Sequence, residues 1–133
     1  MKGKKIRVVL AMVGFDSHDR GLRLVASAIR DAGMEVIYAG SFQTEESLYN
    51  TVIQEDAAVV GLSFLCGGHL GWMERVIRFF KDHGENTRTF IVGGIIPKED
   101  IPKLKNLGVK EVFKPGTDLN EIINTMKRIA QGS

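Results

Sequence analysis

Apolar positions along the 133-residue chain gather in five short runs, 6–12, 35–39, 57–63, 89–92 and 111–113, rich in valine and isoleucine and with little alternation. Unbroken apolar runs of this kind suit strands covered on both faces, as in a parallel sheet. Between them the period changes. Leu22, Val25, Ala26 and Ile29 form one helical stripe, ended by Gly33. Thr44, Glu45, Glu46 and Ser47 read as a helix start leading to Leu48, Val52 and Ile53. Trp72, Val76, Ile77 and Phe80 mark a third helix ended near Gly84, and Ile101, Leu104 and Leu107 a fourth ended by Gly108. Asp118 caps a fifth, with Leu119, Ile122, Ile123, Met126 and Ile129 on its face.

Strand and helix therefore alternate five times. Right-handed crossovers turn that order into an α/β, doubly wound parallel sheet, and five strands favour the flavodoxin-like order 2-1-3-4-5. The pattern predicts one domain over 1–133, its core spanning about 5–130, with no internal repeat, low-complexity tract or linker. Such sheets bind ligands beyond the strand C-termini, where strands one and three part. The loops 13–20, 64–71, 93–98 and 114–118 should carry the function.

Composition adds exclusions. A 44% apolar and 26% charged chain is globular rather than disordered, and a net charge of +2 is far from that of a nucleic-acid binder. Lys2, Lys4, Lys5 and Arg7 read as a solvated lead into the first strand. One cysteine, Cys66, fits a reducing cytoplasm and a small buried side chain. The apolar run 6–13 passes straight into polar loop residues, so no signal peptide is expected, and no run approaches the roughly 20 apolar residues of a membrane span.

The first loop reads Gly14-Phe15-Asp16-Ser17-His18-Asp19-Arg20-Gly21. An imidazole that binds a metal through one nitrogen commonly donates its other N–H to a carboxylate, and Asp16 is near enough to serve His18. The same pair can merely order a turn. Gly21 would open the helix without a side chain. Strand three ends Gly61-Leu62-Ser63-Phe64-Leu65, and strand four Gly93-Gly94-Ile95-Ile96-Pro97. Glycines, a hydroxyl and aliphatics suit a flat, largely apolar group; GxxxxGK[ST] and GxGxxG are both absent, which argues against nucleotide triphosphates and dinucleotides.

Asp16-x-His18-x-x-Gly21, Ser63-x-Leu65 and Gly93-Gly94, in this order and at these strand ends, resemble the fingerprint of the base-off, His-on cobalamin-binding proteins. Gly14 to Gly21, Phe42-Gln43-Thr44, Gly68-His69, Gly93 to Pro97 and Pro115-Gly116-Thr117 resemble the methylmalonyl-CoA mutase branch in particular. The resemblance spans nearly the whole chain, from Ile6 to about Ile129. It implies that His18 ligates cobalt from the lower face, that Asp16 holds the far nitrogen of His18, and that the displaced nucleotide tail enters the domain. Asp16, Ser17, His18, Gly21, Ser63, Leu65, Gly93, Gly94, Ile95, Gly116 and Thr117 would contact the cofactor, most naturally adenosylcobalamin. It further implies the small subunit of an acyl-CoA mutase, an isomerase with no catalytic residue in this chain, inactive alone and completed by a separate large subunit bearing the substrate barrel. Methylmalonyl-CoA, isobutyryl-CoA and hydroxyisobutyryl-CoA all fit. One departure stands out: the branch usually has lysine where this chain has Met12, so Asp16 must find another donor or sit nearer water.

A corrinoid methyl carrier or B12 sensor is the alternative, but those relatives place a helical bundle ahead of this domain. A receiver domain would match Lys114-Pro115 but needs an aspartate where this chain has Ser63-Phe64-Leu65. His69 reads as a contact to the corrin or partner, or as a surface residue; His83 complements a helix C-terminus, and Trp72 serves core or interface.

Overall fold

The computed structural model describes residues 5–14, 20–65 and 67–130. Strands β1 (Arg7–Val13), β2 (Glu35–Gln43), β3 (Val59–Phe64), β4 (Thr89–Gly94) and β5 (Val109–Phe113) alternate with helices α1 (Arg20–Asp31), α2 (Glu45–Glu55), α3 (His69–Asp82), α4 (Ile101–Leu107) and α5 (Leu119–Ala130). All four strand pairings are parallel, in the order β2-β1-β3-β4-β5, so the flavodoxin-like expectation holds.

The burial explains the sequence pattern. After Arg7, every residue of β1 is buried, and β3 and β4 are nearly so, because helices cover both faces. α1 and α5 close one face through Leu22, Ile29, Ile122 and Met126, packed on Val8, Leu10 and Met12. α2, α3 and α4 close the other through Leu48, Val52, Val76, Phe80 and Leu104, packed on Val9, Ala11, Val60 and Leu62. Alternate residues of β1 thus serve opposite cores, the two-residue period of a strand made visible.

Thr44 starts α2 as a capping box: its hydroxyl accepts the Ser47 N–H at 3.1 Å, and the Ser47 hydroxyl accepts the Thr44 N–H at 2.9 Å. β2 runs four residues beyond the apolar run 35–39, to Gln43. That extension is glycine-containing and polar, and its pairing with β1 shifts register twice, between Leu10 and Ala11 and between Ala11 and Val13. Gly40 and Phe42 take positive φ there, +85° and +62°. An irregular edge of this kind leaves no periodic signal.

Candidate functional site

A cavity of about 420 Å³ opens on the α1/α5 face beneath the C-terminal ends of β1, β3, β4 and β5. Leu10, Gly61 and Ile91 form its sheet side, and Val25, Ile29 and Ile122 its helical walls. Gly61 keeps this floor open, since a Cβ there would stand 2.7 Å from Leu10 Cδ2. The lining is mostly apolar, with Ser63, Lys114 and Thr117 as its polar members. Leu24 (60% exposed) and Leu119 (40%) line the cavity on α1 and α5 and remain in water. Large exposed leucines at an apolar opening mark a surface that meets something other than solvent.

Gly21, Ser63, Leu65, Gly93, Gly94, Gly116 and Thr117 all border this one cavity. Thr117 Oγ1–H donates to the Lys114 carbonyl at 2.6 Å, which fixes the turn after β5. Ile95 is brought to the same edge, 60% exposed, but outside the cavity lining. Asp16, Ser17 and His18 lie outside the described residues, as does Cys66. Gly14, the last described residue before that loop, directly follows β1. The sequence reading missed the aliphatic walls, because a leucine or isoleucine facing a ligand space carries the same periodicity as one facing the core.

On the opposite face, His69 is buried, which corrects its reading as a surface residue. Its Nε2–H donates to Asp100 Oδ2 at 2.7 Å, joining the start of α3 to the start of α4 and hence the loops after β3 and β4. That hydrogen bond, with the charges of His69 and Lys103 (3.6 Å away), holds the Asp100 carboxyl below its usual range against the opposing effect of burial. A depressed carboxyl stabilises the fold above its unfolded value and loses that contribution as pH falls through the folded one. Asp100→Asn is therefore expected to melt below wild type at pH 7, with the gap closing below about pH 4. Parallel thermal melts across that range test it; a gap independent of pH would show the charge to be irrelevant. His83 closes α3, its Nδ1–H donating to the Phe79 carbonyl at 2.8 Å, as its place at a helix end suggested. Among the described residues no helix is long and apolar enough to cross a membrane, and no three or more His, Cys, Asp and Glu side chains gather as a metal cluster.

A doubly wound sheet with an aliphatic cavity at the C-terminal strand edge defines a flavodoxin-like ligand-binding domain. Residues 6–124 match the B12 binding domain family, and the chain belongs to it. It is 43% identical over 124 residues to the 2-hydroxyisobutanoyl-CoA mutase small subunit of Aquincola tertiaricarbonis, covering 93% of this chain and 91% of that one. It is 36% identical over 118 residues to methylmalonyl-CoA mutase of Cereibacter sphaeroides, covering 89% of this chain but only 17% of the longer relative. A cobalamin-binding protein from Desulfitobacterium hafniense DCB-2 shares the fold, with a TM-score of 0.80 at 24% identity over 94% of this chain and 59% of that one.

Proposed function

We propose that this chain is the cobalamin-binding small subunit of an adenosylcobalamin-dependent acyl-CoA mutase. The observation that carries the reading is the apolar cavity, lined by Gly21, the last residue of the DxHxxG motif, with Ser63, Gly93 and Thr117 from three other segments. These residues fit the cofactor's nucleotide tail: a space of about 420 Å³ with glycine at its rim and floor admits a flat apolar group, and Ser63 offers a hydroxyl at the rim. When bound, adenosylcobalamin supplies homolysis of its cobalt–carbon bond, chemistry that no side chain provides.

The chain's own work is holding and tuning. His18 would give its imidazole to the cobalt in place of the cofactor's own base, and Asp16 would accept the other imidazole N–H, fixing tautomer and orientation. Gly93 and Gly61 leave room for the tail, and Leu24 and Leu119 cover its apolar flank. Substrate binding falls to a separate large subunit, a reading supported by the 43% identical relative, which is itself a mutase small subunit. The cytoplasm is the compartment in which such a subunit works.

The test is electron paramagnetic resonance of bound cob(II)alamin in protein made with labelled histidine nitrogen. Wild type is expected to show coupling to one histidine nitrogen, and His18→Ala to lose it while keeping weak tail binding. Coupling to the cofactor's own base in wild type would refute the reading.

A further inference from the structure

The α1/α5 cavity is layered. Leu10, Gly61 and Ile91 are register partners on three adjoining strands, so they form one row across its sheet side. Two residues further along, Ser63 and Gly93 are partners in the next row, with Phe113 beside them on β5. Side chains two apart on a strand share a face, and the two rows stand about 7 Å apart. The inner row is wholly apolar. Leu10 and Ile91 are buried, and Gly61 leaves the space between them bare. The backbone polar groups of these strands lie in the sheet and point to neighbouring strands rather than into the cavity. Opposite the row, Val25 and Ile29 of α1 and Ile122 of α5 add only hydrocarbon. The polar side chains of the lining, Ser63, Lys114 and Thr117, belong to the outer row or to the turn after β5. Among the described residues, then, the inner end of the cavity offers no side chain that donates or accepts a hydrogen bond, and the outer end offers three. Such a space fits a flat aromatic group with its hydrocarbon edge inward and its polar atoms outward. A group carrying an amine or carbonyl on the inner edge would lose its water there and gain no partner.

We propose that the row Leu10–Gly61–Ile91 selects the cofactor by the base at the end of its nucleotide tail. It accepts a base whose inner edge is hydrocarbon, such as dimethylbenzimidazole, and rejects a purine that carries a polar group there. The proposal rests on the cobalamin reading and narrows it to one chemical class of cobamide.

The test is an absorbance titration of the full chain with two probes: hydroxocobalamin, whose base is dimethylbenzimidazole, and the corresponding cobamide with adenine as its base. Wild type should bind the first about tenfold to a hundredfold more tightly, the range over which an apolar pocket rejects an added polar group. Ile91→Thr puts a hydroxyl into the inner row on a side chain that still suits a strand, and the preference should fall by about tenfold. Any difference between the two bases in leaving cobalt is common to both proteins and cancels in that comparison. If Ile91→Thr does not fold, Val25→Thr, a smaller change on the helical wall, carries the test with an expected fall of about threefold. Equal affinity for the two probes in wild type, or tighter binding of the adenine cobamide, overturns the proposal and leaves the cofactor reading standing. So does an unchanged preference in a folded threonine variant. Binding of neither probe by wild type overturns the cofactor reading, and this proposal with it.

Discussion

Gly94→Ala is expected to unfold this domain or leave it barely stable. A Cβ at position 94 would press on the Phe64 carbonyl oxygen and stand 2.7 Å from its carbonyl carbon and 2.9 Å from its nitrogen. None of these atoms belongs to a flexible side chain, so β3 or β4 would have to move. Phe64 and Gly94 are register partners, and the Ile95 N–H donates to the same Phe64 carbonyl at 2.9 Å. Gly94 also has a φ of +124°, a conformation that costs an alanine about 1–3 kcal/mol before any overlap is counted. Strain and collision together should exceed about 4 kcal/mol, a large share of the roughly 5–15 kcal/mol that holds a domain folded. Urea unfolding would show a midpoint shifted accordingly, or soluble protein would not be obtained. A variant within about 1 kcal/mol of wild type would mean that the two strand ends are not packed as described.

Its neighbour should behave in the opposite way. Gly93→Leu is expected to keep the fold and lose the ligand. A Cβ at 93 meets only the Phe113 carbonyl oxygen, at an ordinary 3.8 Å, and the residue borders the cavity. A leucine there grows into the space proposed for the cofactor tail. Filling an existing void costs little and can stabilise, so the melting temperature should stay within a few degrees of wild type. Affinity for hydroxocobalamin, followed by absorbance titration, should weaken at least about a hundredfold, near 2.8 kcal/mol. Undiminished binding by a folded Gly93→Leu protein would place the tail elsewhere. Adjacent glycines thus serve different ends, one the strand pairing and one the open space.

Much of this was legible in the chain, and the exceptions have physical causes. β1, β3 and β4 declared themselves because burial on both faces demands unbroken apolar runs. The far end of β2 did not, since an edge strand bent at Gly40 and Phe42 has no reason to be apolar or periodic. Gly93 and Ser63, which line the cavity, drew notice in the sequence because glycine and hydroxyl are out of place at the end of a buried strand. Ile29 and Ile122 could not be told from core residues, because a cavity wall and a core wall select the same side chains. The His69–Asp100 pair spans 31 positions, and nothing local announces it. Met12 was legible as an anomaly, and the structure supplies its surroundings: fully buried on the α1/α5 side, its sulfur 4.0 Å from the Ser41 hydroxyl that points to it. A lysine there would lose its hydration, so methionine and the apolar packing of β1 belong together.

The two faces of the sheet are finished to different degrees. Around α2, α3 and α4 the interior is closed by this chain's own side chains, whereas between α1 and α5 it is hollow and edged by leucines left in water. A ligand seated in that space would complete the apolar wall that α1 and α5 leave open beside their own packed cluster. Occupancy and folding stability become one linked quantity: a ligand at a hundred times its dissociation constant adds about 2.7 kcal/mol to the native state. By that linkage, copies without an occupant would open more readily and meet proteolysis sooner.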